Sequence, residues 1–158
     1  PQLSRMILVV LMLIGACAGS TGGGMKVVRV NLLMKSARRE VRRTLHPRGV
    51  SVIKNDGRSV SESSLSQTLV FFFLYMLIIC IETLIVSLDG FSLETNLTAT
   101  ISAISNIGPG LGLVGPMGNF FSFSPLSKVT LSLCMLIGRL EIYPILLLFT
   151  PAAWDKRA

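Results

Sequence analysis

The feature that most constrains this chain is a pair of apolar runs, residues 65–88 and 126–149, separated by a stretch that is itself apolar and rich in glycine. At 1.5 Å per residue each run makes a helix roughly 35 Å long, enough to cross a hydrocarbon core of about 30 Å with some tilt. The first run contains one acid, Glu82. The second contains Lys128 near its start and Arg139 and Glu141 in its middle. A hydrophobic content of 51% and a mean hydropathy of +0.67 set the chain apart from ordinary soluble domains. The expected fold class is therefore an all-α membrane protein.

Charge gives the orientation. Fifteen Lys and Arg against eight Asp and Glu leave +7, a balance that in a soluble protein would suggest nucleic acid. Ten of the fifteen cations, however, fall within residues 26–58, and this basic segment has no aromatics interleaved on which bases would stack. No nucleic-acid partner is expected. By the positive-inside rule residues 26–64 face the cytoplasm, whereas residues 89–125, with two acids and no Lys or Arg, face outward. Trp154 followed by Asp155, Lys156 and Arg157 returns the chain to the inner interface. Within the basic segment, turn signals stand at His46-Pro47-Arg48-Gly49 and Asn55-Asp56-Gly57, and the alternation before Asn55 suggests a short hairpin. His46 reads as an ordinary loop residue.

The N-terminal apolar run, residues 6–18, is about half a span and stops at Gly19-Ser20-Thr21-Gly22-Gly23-Gly24 before resuming at Met25 and Lys26. Such a pattern reads as an inner helix interrupted by a glycine-rich break. Irregular backbone is not viable against lipid, so the break must be buried in protein or line a water-filled path. Between the two full spans, Glu94-Thr95-Asn96 is positioned to cap a short helix through Ile104, which is followed by Ser105-Asn106-Ile107-Gly108-Pro109-Gly110-Leu111-Gly112. A half-helix directs partial negative charge from its carbonyl end at a cation, and an extended glycine-bearing segment offers carbonyl oxygens in place of the hydration shell. Chemistry alone leaves two readings open, a cation filter and a re-entrant loop of some other transporter.

The motifs narrow this. Residues 103–112, Ala-Ile-Ser-Asn-Ile-Gly-Pro-Gly-Leu-Gly, resemble the fourth pore loop of TrkH-type potassium uptake proteins of the Trk/Ktr/HKT superfamily. Residues 12–26 resemble the interrupted inner helix of that family's third repeat, and Met135-Leu136-Ile137-Gly138-Arg139-Leu140-Glu141 with Leu148-Phe149-Thr150-Pro151 resembles its last helix. The resemblance covers nearly the whole chain. It implies a helix, pore-loop, helix repeat preceded by a glycine-interrupted inner helix, in a multi-pass protein of the bacterial inner membrane. The expected segments are 1–34 for the interrupted helix, 35–64 for a basic cytoplasmic loop, and 65–151 for the fourth repeat. That repeat divides into helix 65–88, pore helix and filter 94–112 and helix 126–149, and a cytoplasmic tail follows at 152–158.

The same resemblance implies that potassium is the transported ion, bound in a filter at Ser105, Asn106, Ile107 and Gly108, with direct coordination by the last three. It implies a gate of Gly19, Ser20, Thr21, Gly22, Gly23 and Gly24 with Arg139, which projects into the pore beneath the filter. The implied partners are membrane lipid, the remaining pore repeats of the same polypeptide, a second copy in a homodimer and a cytoplasmic nucleotide-binding TrkA-like ring. Since only one of four filter strands is present, and the chain opens with Pro1, it is expected to be a piece of a longer protein.

Competing signals are weaker. Gly110-Leu111-Gly112-Leu113-Val114-Gly115 fits G-x-G-x-x-G, but no βαβ unit surrounds it. Residues 19–26 approximate a phosphate loop but read Gly-Met-Lys where Gly-Lys-Ser/Thr is required. Arg5, the apolar run and Gly15-Ala16-Cys17 imitate a lipoprotein signal, which would make this a lipid-anchored or multi-pass interaction protein. Asn96-Leu97-Thr98 fits a glycosylation sequon but lies in the expected pore helix. Cys17, Cys80 and Cys134 lack metal or disulfide spacing and are expected to be buried, inert thiols. No catalytic constellation and no organic cofactor are expected. Glu82, Glu141 and Arg139 are ionisable groups at membrane depth and are expected to be functional or paired with one another.

Overall fold

The structure, a computed structural model, describes residues 1–17, 19–20, 22–46, 53–55 and 58–140. Five helices dominate: α1 (Gln2–Ile14), α2 (Val27–Leu45), α3 (Glu62–Val86), α4 (Leu93–Ser105) and α5 (Pro125–Leu140). A two-residue-per-strand hairpin, β1 (Lys54–Asn55) with β2 (Arg58–Ser59), pairs Lys54 with Ser59 and Asn55 with Arg58. Its strands flank positions 56 and 57, where the sequence places an Asp-Gly turn signal.

Helix α3 begins where Ser61 accepts a hydrogen bond from the Ser64 amide, with Glu62 in the first turn, so both the cap and the macrodipole favour a start there. Its buried residues, Leu65, Thr68, Phe71, Tyr75, Ile79, Glu82 and Val86, recur every three or four positions and form one stripe. Leu69, Phe73, Leu77, Ile81 and Leu84 stand exposed on the other faces, the signature of a helix whose outer surface meets lipid or further protein rather than water. With the short 3-10 turn Ser87–Asp89 it is long and apolar enough to cross a membrane.

Helix α4 is the hub. At 13 residues it is too short to span, yet ten of those residues are buried. Ile101 and Ile104 join Met25, Phe71, Tyr75 and Ile79 in one cluster, against which Val9, Met12 and Leu13 of α1 pack. Ala99 and Ala103 join Val86, Val114, Phe123, Leu131 and Cys134 in a second cluster. Two bonds tie the outer rim: Asp89 accepts from the Ser124 amide at 3.0 Å, and the Asn96 amide group donates to Phe91 O at 3.1 Å.

Several expectations are corrected. Ser92, not Glu94-Thr95-Asn96, caps α4, accepting from the Thr95 amide; Glu94 lies in the first turn, where its charge suits the dipole. The segment expected as a basic loop from residue 35 is helical as far as Leu45, because Arg, Lys and Leu are good helix formers and nothing interrupts them before Pro47. Arg39 holds Glu62 in a two-pronged ion pair, with Nη2 to Oε2 at 3.1 Å, and Lys35 donates to Lys54 O at 2.9 Å, so α2, the hairpin and the start of α3 form one patch. The Glu62 carboxylate holds the Arg39 guanidinium above its already high range. Cys17 and Cys80 are exposed on this chain and only Cys134 is buried, since the apolar runs present faces outward as well as inward. The far half of the expected helix 126–149, the tail and Glu141 lie outside the described residues, as do residues 47–52.

Candidate functional site

The C-terminal end of α4 sets the first anchor of the site. Asn106 takes a left-handed conformation (φ 53°, ψ 45°), which its short polar side chain tolerates better than most residues. Its amide bonds Ala103 O at 3.1 Å and the Ile107 amide reaches back to Ser102 O at 3.1 Å, the paired bonds of a Schellman cap. The Asn106 side-chain amide donates to Met135 O of α5 at 3.1 Å. Four residues later the chain is anchored again: the Gly110 amide donates to Val114 O at 2.7 Å and the Leu111 amide to the Thr98 hydroxyl at 2.9 Å.

Between these anchors the backbone is unoccupied. Among the described residues no carbonyl of residues 105–109 accepts a hydrogen bond, and Asn106, Ile107, Gly108 and Pro109 are exposed. Gly108 has φ 105°, in the region that only glycine visits readily. Ser105 differs from its neighbours, because its side chain is buried and shares a hydrogen bond with the Tyr75 hydroxyl at 3.0 Å. A row of free carbonyls at the negative end of a buried half-helix is chemically suited to a dehydrated cation.

The glycine-rich break lies directly against this segment. Helix α1 stops at Ile14, Gly15 turns with φ 74°, and the Val27 amide then bonds Ala16 O at 3.1 Å, so the residues between form an excursion whose ends are tied together. Within it Gly19, Gly24 and Lys26 also have positive φ. A Cβ on Gly23 would stand 2.8 Å from the Asn106 side-chain nitrogen, 2.8 Å from Gly138 O and 2.9 Å from Ile104 O; one on Gly24 would stand 3.3 Å from the Ser105 hydroxyl. The break is thus wedged between the base of the free-carbonyl segment and α5. A cleft of about 360 Å³ remains between α1, the break and residues 105–107.

Of the residues predicted from sequence, the structure brings together Gly22, Gly23, Gly24, Ser105, Asn106 and Ile107. Gly19 and Ser20 lie farther out in the exposed part of the break, and Thr21 is outside the described residues. Arg139 follows Gly138 in the last turn of α5 and is exposed, with no ion-pair partner among the described residues. Of the possible pairings among Glu82, Glu141 and Arg139, that of Glu82 with Arg139 is not formed, and those with Glu141 lie outside the described residues. Glu82 is buried between α3 and α5, facing Thr130 and Cys134, which lie roughly 7–13 Å along α5 from Arg139. Sequence reading missed Gly138, where any side chain would strike Ile104 O, and the threonines of α4; both act through non-local contacts that no local pattern displays.

A protein-family model described as TrkH, cation transport protein, matches residues 2–156. The chain belongs to the TrkH family. Relatives include the Trk system potassium uptake protein TrkH of Escherichia coli K12, 39% identical over 99% of this chain and 32% of the relative. The TrkH of Halomonas elongata is 37% identical over the same shares of each. The crystal structure of the potassium transporter TrkH from Vibrio parahaemolyticus superposes with a TM-score of 0.82 at 35% identity, covering 98% of this chain and 33% of that one. The chain therefore spans about a third of the length of the TrkH relatives it matches. Like the rest of the TrkH family, it is an all-α, multi-pass protein of the bacterial inner membrane. The lipoprotein-signal reading of the segment ending at Cys17 is overturned, since α1 lies inside the family match and packs into the core.

Proposed function

We propose that the full-length protein takes up potassium through a four-repeat pore, to which this chain contributes the last inner helix of the third repeat and the fourth repeat. The observation that carries this reading is the set of unpaired carbonyls at residues 105–109, held between two anchors at the end of a buried half-helix. Ser105, Asn106, Ile107 and Gly108 form one strand of the filter, with Asn106, Ile107 and Gly108 coordinating the ion. Gly19, Ser20, Thr21, Gly22, Gly23 and Gly24 with Arg139 form the gate below it. The pore works as a homodimer governed by a cytoplasmic TrkA-like nucleotide-binding ring, for which the basic patch on α2 offers an inner surface. No catalytic chemistry or organic cofactor enters this reading.

Gly108→Ser in the full-length protein tests the filter. A Cβ at Gly108 meets no atom within 4 Å, so serine fits, but φ 105° strains it by about 1–3 kcal/mol, relieved by turning the neighbouring carbonyls. The expected result is roughly a tenfold loss of potassium over sodium discrimination, equivalent to about 1.4 kcal/mol, with little change in protein abundance. Unchanged selectivity in abundant protein overturns the assignment.

A further inference from the structure

Residues 110–113, which lead away from the free carbonyls, run alongside α4 and are held to it by side chains of that helix. The Thr98 hydroxyl accepts from the Leu111 amide at 2.9 Å while donating its own proton to Glu94 O at 2.7 Å, one turn back in α4. One turn towards the helix start, Thr95 accepts from the Leu113 amide at 3.4 Å and shares a hydrogen bond with the Ser92 hydroxyl at 2.9 Å. Both threonines are almost wholly buried, at 1% and 3% exposure, so neither bond is exchanged readily for water.

The glycines opposite them have a matching explanation. A Cβ on Gly110 would stand 2.7 Å from Val114 Cγ2, 3.1 Å from the Thr98 hydroxyl and 3.2 Å from the Thr98 carbonyl carbon; one on Gly112 would stand 2.5 Å from the Thr95 hydroxyl. The Gly-x-Gly spacing therefore lets the backbone lie against the two hydroxyls, a role unrelated to nucleotide binding. Thr100, also buried, bonds Asn96 O within α4 at 3.0 Å, and among the described residues its hydroxyl makes no hydrogen bond to residues 110–113.

We infer that Thr98 is a positioning residue for ion selectivity: its hydroxyl fixes the outer end of the free-carbonyl segment, with Gly110 and Gly112 allowing the approach and Thr95 supporting it. The inference rests on the filter reading of residues 105–108. If the anchor at Leu111 loosens, the outer end of the segment keeps only the Gly110 bond to Val114 O and the longer Leu113 bond to Thr95, and the spacing of the carbonyl oxygens is less tightly set.

The test measures potassium and sodium flux in the full-length protein carrying Thr98→Val, Thr98→Ser, Thr100→Val, Gly110→Ala or Gly108→Ser. Valine preserves shape and removes the acceptor, so Thr98→Val should lower discrimination roughly five- to tenfold, as loss of a buried hydrogen bond implies. Thr98→Ser should restore it, and Thr100→Val should match the unmodified protein. Gly110→Ala, which keeps the hydroxyl but pushes the limb away, should also lower discrimination and provides the readout if Thr98→Val does not accumulate. Normal selectivity in abundant Thr98→Val or Gly110→Ala protein, beside a defective Gly108→Ser, overturns the clasp and leaves the filter standing. A loss in Thr100→Val equal to that in Thr98→Val also overturns it, because general destabilisation of α4 then explains the effect. Normal selectivity in all the variants, Gly108→Ser included, overturns the filter reading together with the clasp.

Discussion

Two glycine-rich interruptions meet in this chain, and they are held in opposite ways. The segment after α4 is fastened by directed bonds: the Schellman pair at Asn106 and Ile107, the side-chain bond to Met135 O, and the bonds of Gly110 and Leu111. The break after α1 has its ends tied through Val27 and Ala16, and among its described residues Ser20 N bonds Cys17 O and Gly22 N bonds the Ser20 hydroxyl. Its contact with the first segment is steric, through Gly23 and Gly24. Directed bonds fix a geometry, whereas close packing without them is lost and regained by a small displacement. The difference suits the proposed filter, whose shape must stay constant, beside the proposed gate, which must move.

The largest effect is expected where the two segments touch. Alanine at Gly23 places a methyl within 2.9 Å of three atoms, two of them backbone oxygens that cannot swing aside. The break then cannot seat against Ile104 and Gly138, and basal potassium flux should rise more than tenfold, for which about 1.4 kcal/mol in the balance of closed and open forms is sufficient. Potassium over sodium discrimination should be largely retained, because the methyl crowds the Asn106 side chain but leaves the backbone bonds of Asn106, Ile107, Gly110 and Leu111 in place. Flux assays on vesicles of known protein content read both quantities. Leak accompanied by loss of selectivity would break the comparison, showing that one segment shapes the other.

Arg139 gives the next effect. It lies roughly 20 Å from the start of α5, near the bilayer centre, one residue beyond the contact of Gly138 with Ile104. In the proposed gate its charge would oppose a cation on the path. Arg139→Ala should raise basal flux roughly tenfold, within the 5–150-fold that coupling energies of 1–3 kcal/mol produce, and weaken dependence on the proposed cytoplasmic ring. Abolished flux in abundant, dimeric protein would assign the arginine to the open pore instead.

What the sequence revealed follows the range of the forces involved. The existence of a glycine-rich break and the span of α3 are local matters of glycine and apolar length and are legible, although the break expected at Gly19 begins earlier, where Gly15 turns after Ile14. The α4 cap was misplaced by two residues because Ser92 and Glu94 are both plausible first-turn residues. From residue 35 onward α2 reads as loop because its dense cations resemble a solvated segment, although its composition favours helix. Shared membrane depth groups Glu82, Glu141 and Arg139 as possible partners, but facing requires rotation about the helix axis, which depth alone omits. Thr98 and Gly138 act across 13 or more positions of sequence, and only packing reveals them.

The smallest predicted effect separates conformation from contact within the break. Gly19 has φ 83°, and a Cβ there would meet no atom within 4 Å, so substitution tests the left-handed turn without any clash. A left-handed conformation costs an alanine roughly 1–2 kcal/mol, but asparagine adopts it more readily. If the turn belongs to the closed form, Gly19→Ala should raise basal flux by about fivefold or less, since part of the strain persists in any alternative form, and Gly19→Asn should lie between alanine and the unmodified protein. The two substitutions add different volumes into equally open space, so an effect that follows volume rather than backbone preference would refute the turn. Lower flux in Gly19→Ala would place the left-handed turn in the open form. Unchanged flux in both, beside a leaking Gly23→Ala, would leave closure to the contact at Gly23 alone, sharpening the view that this segment blocks by packing while its neighbour selects by bonding.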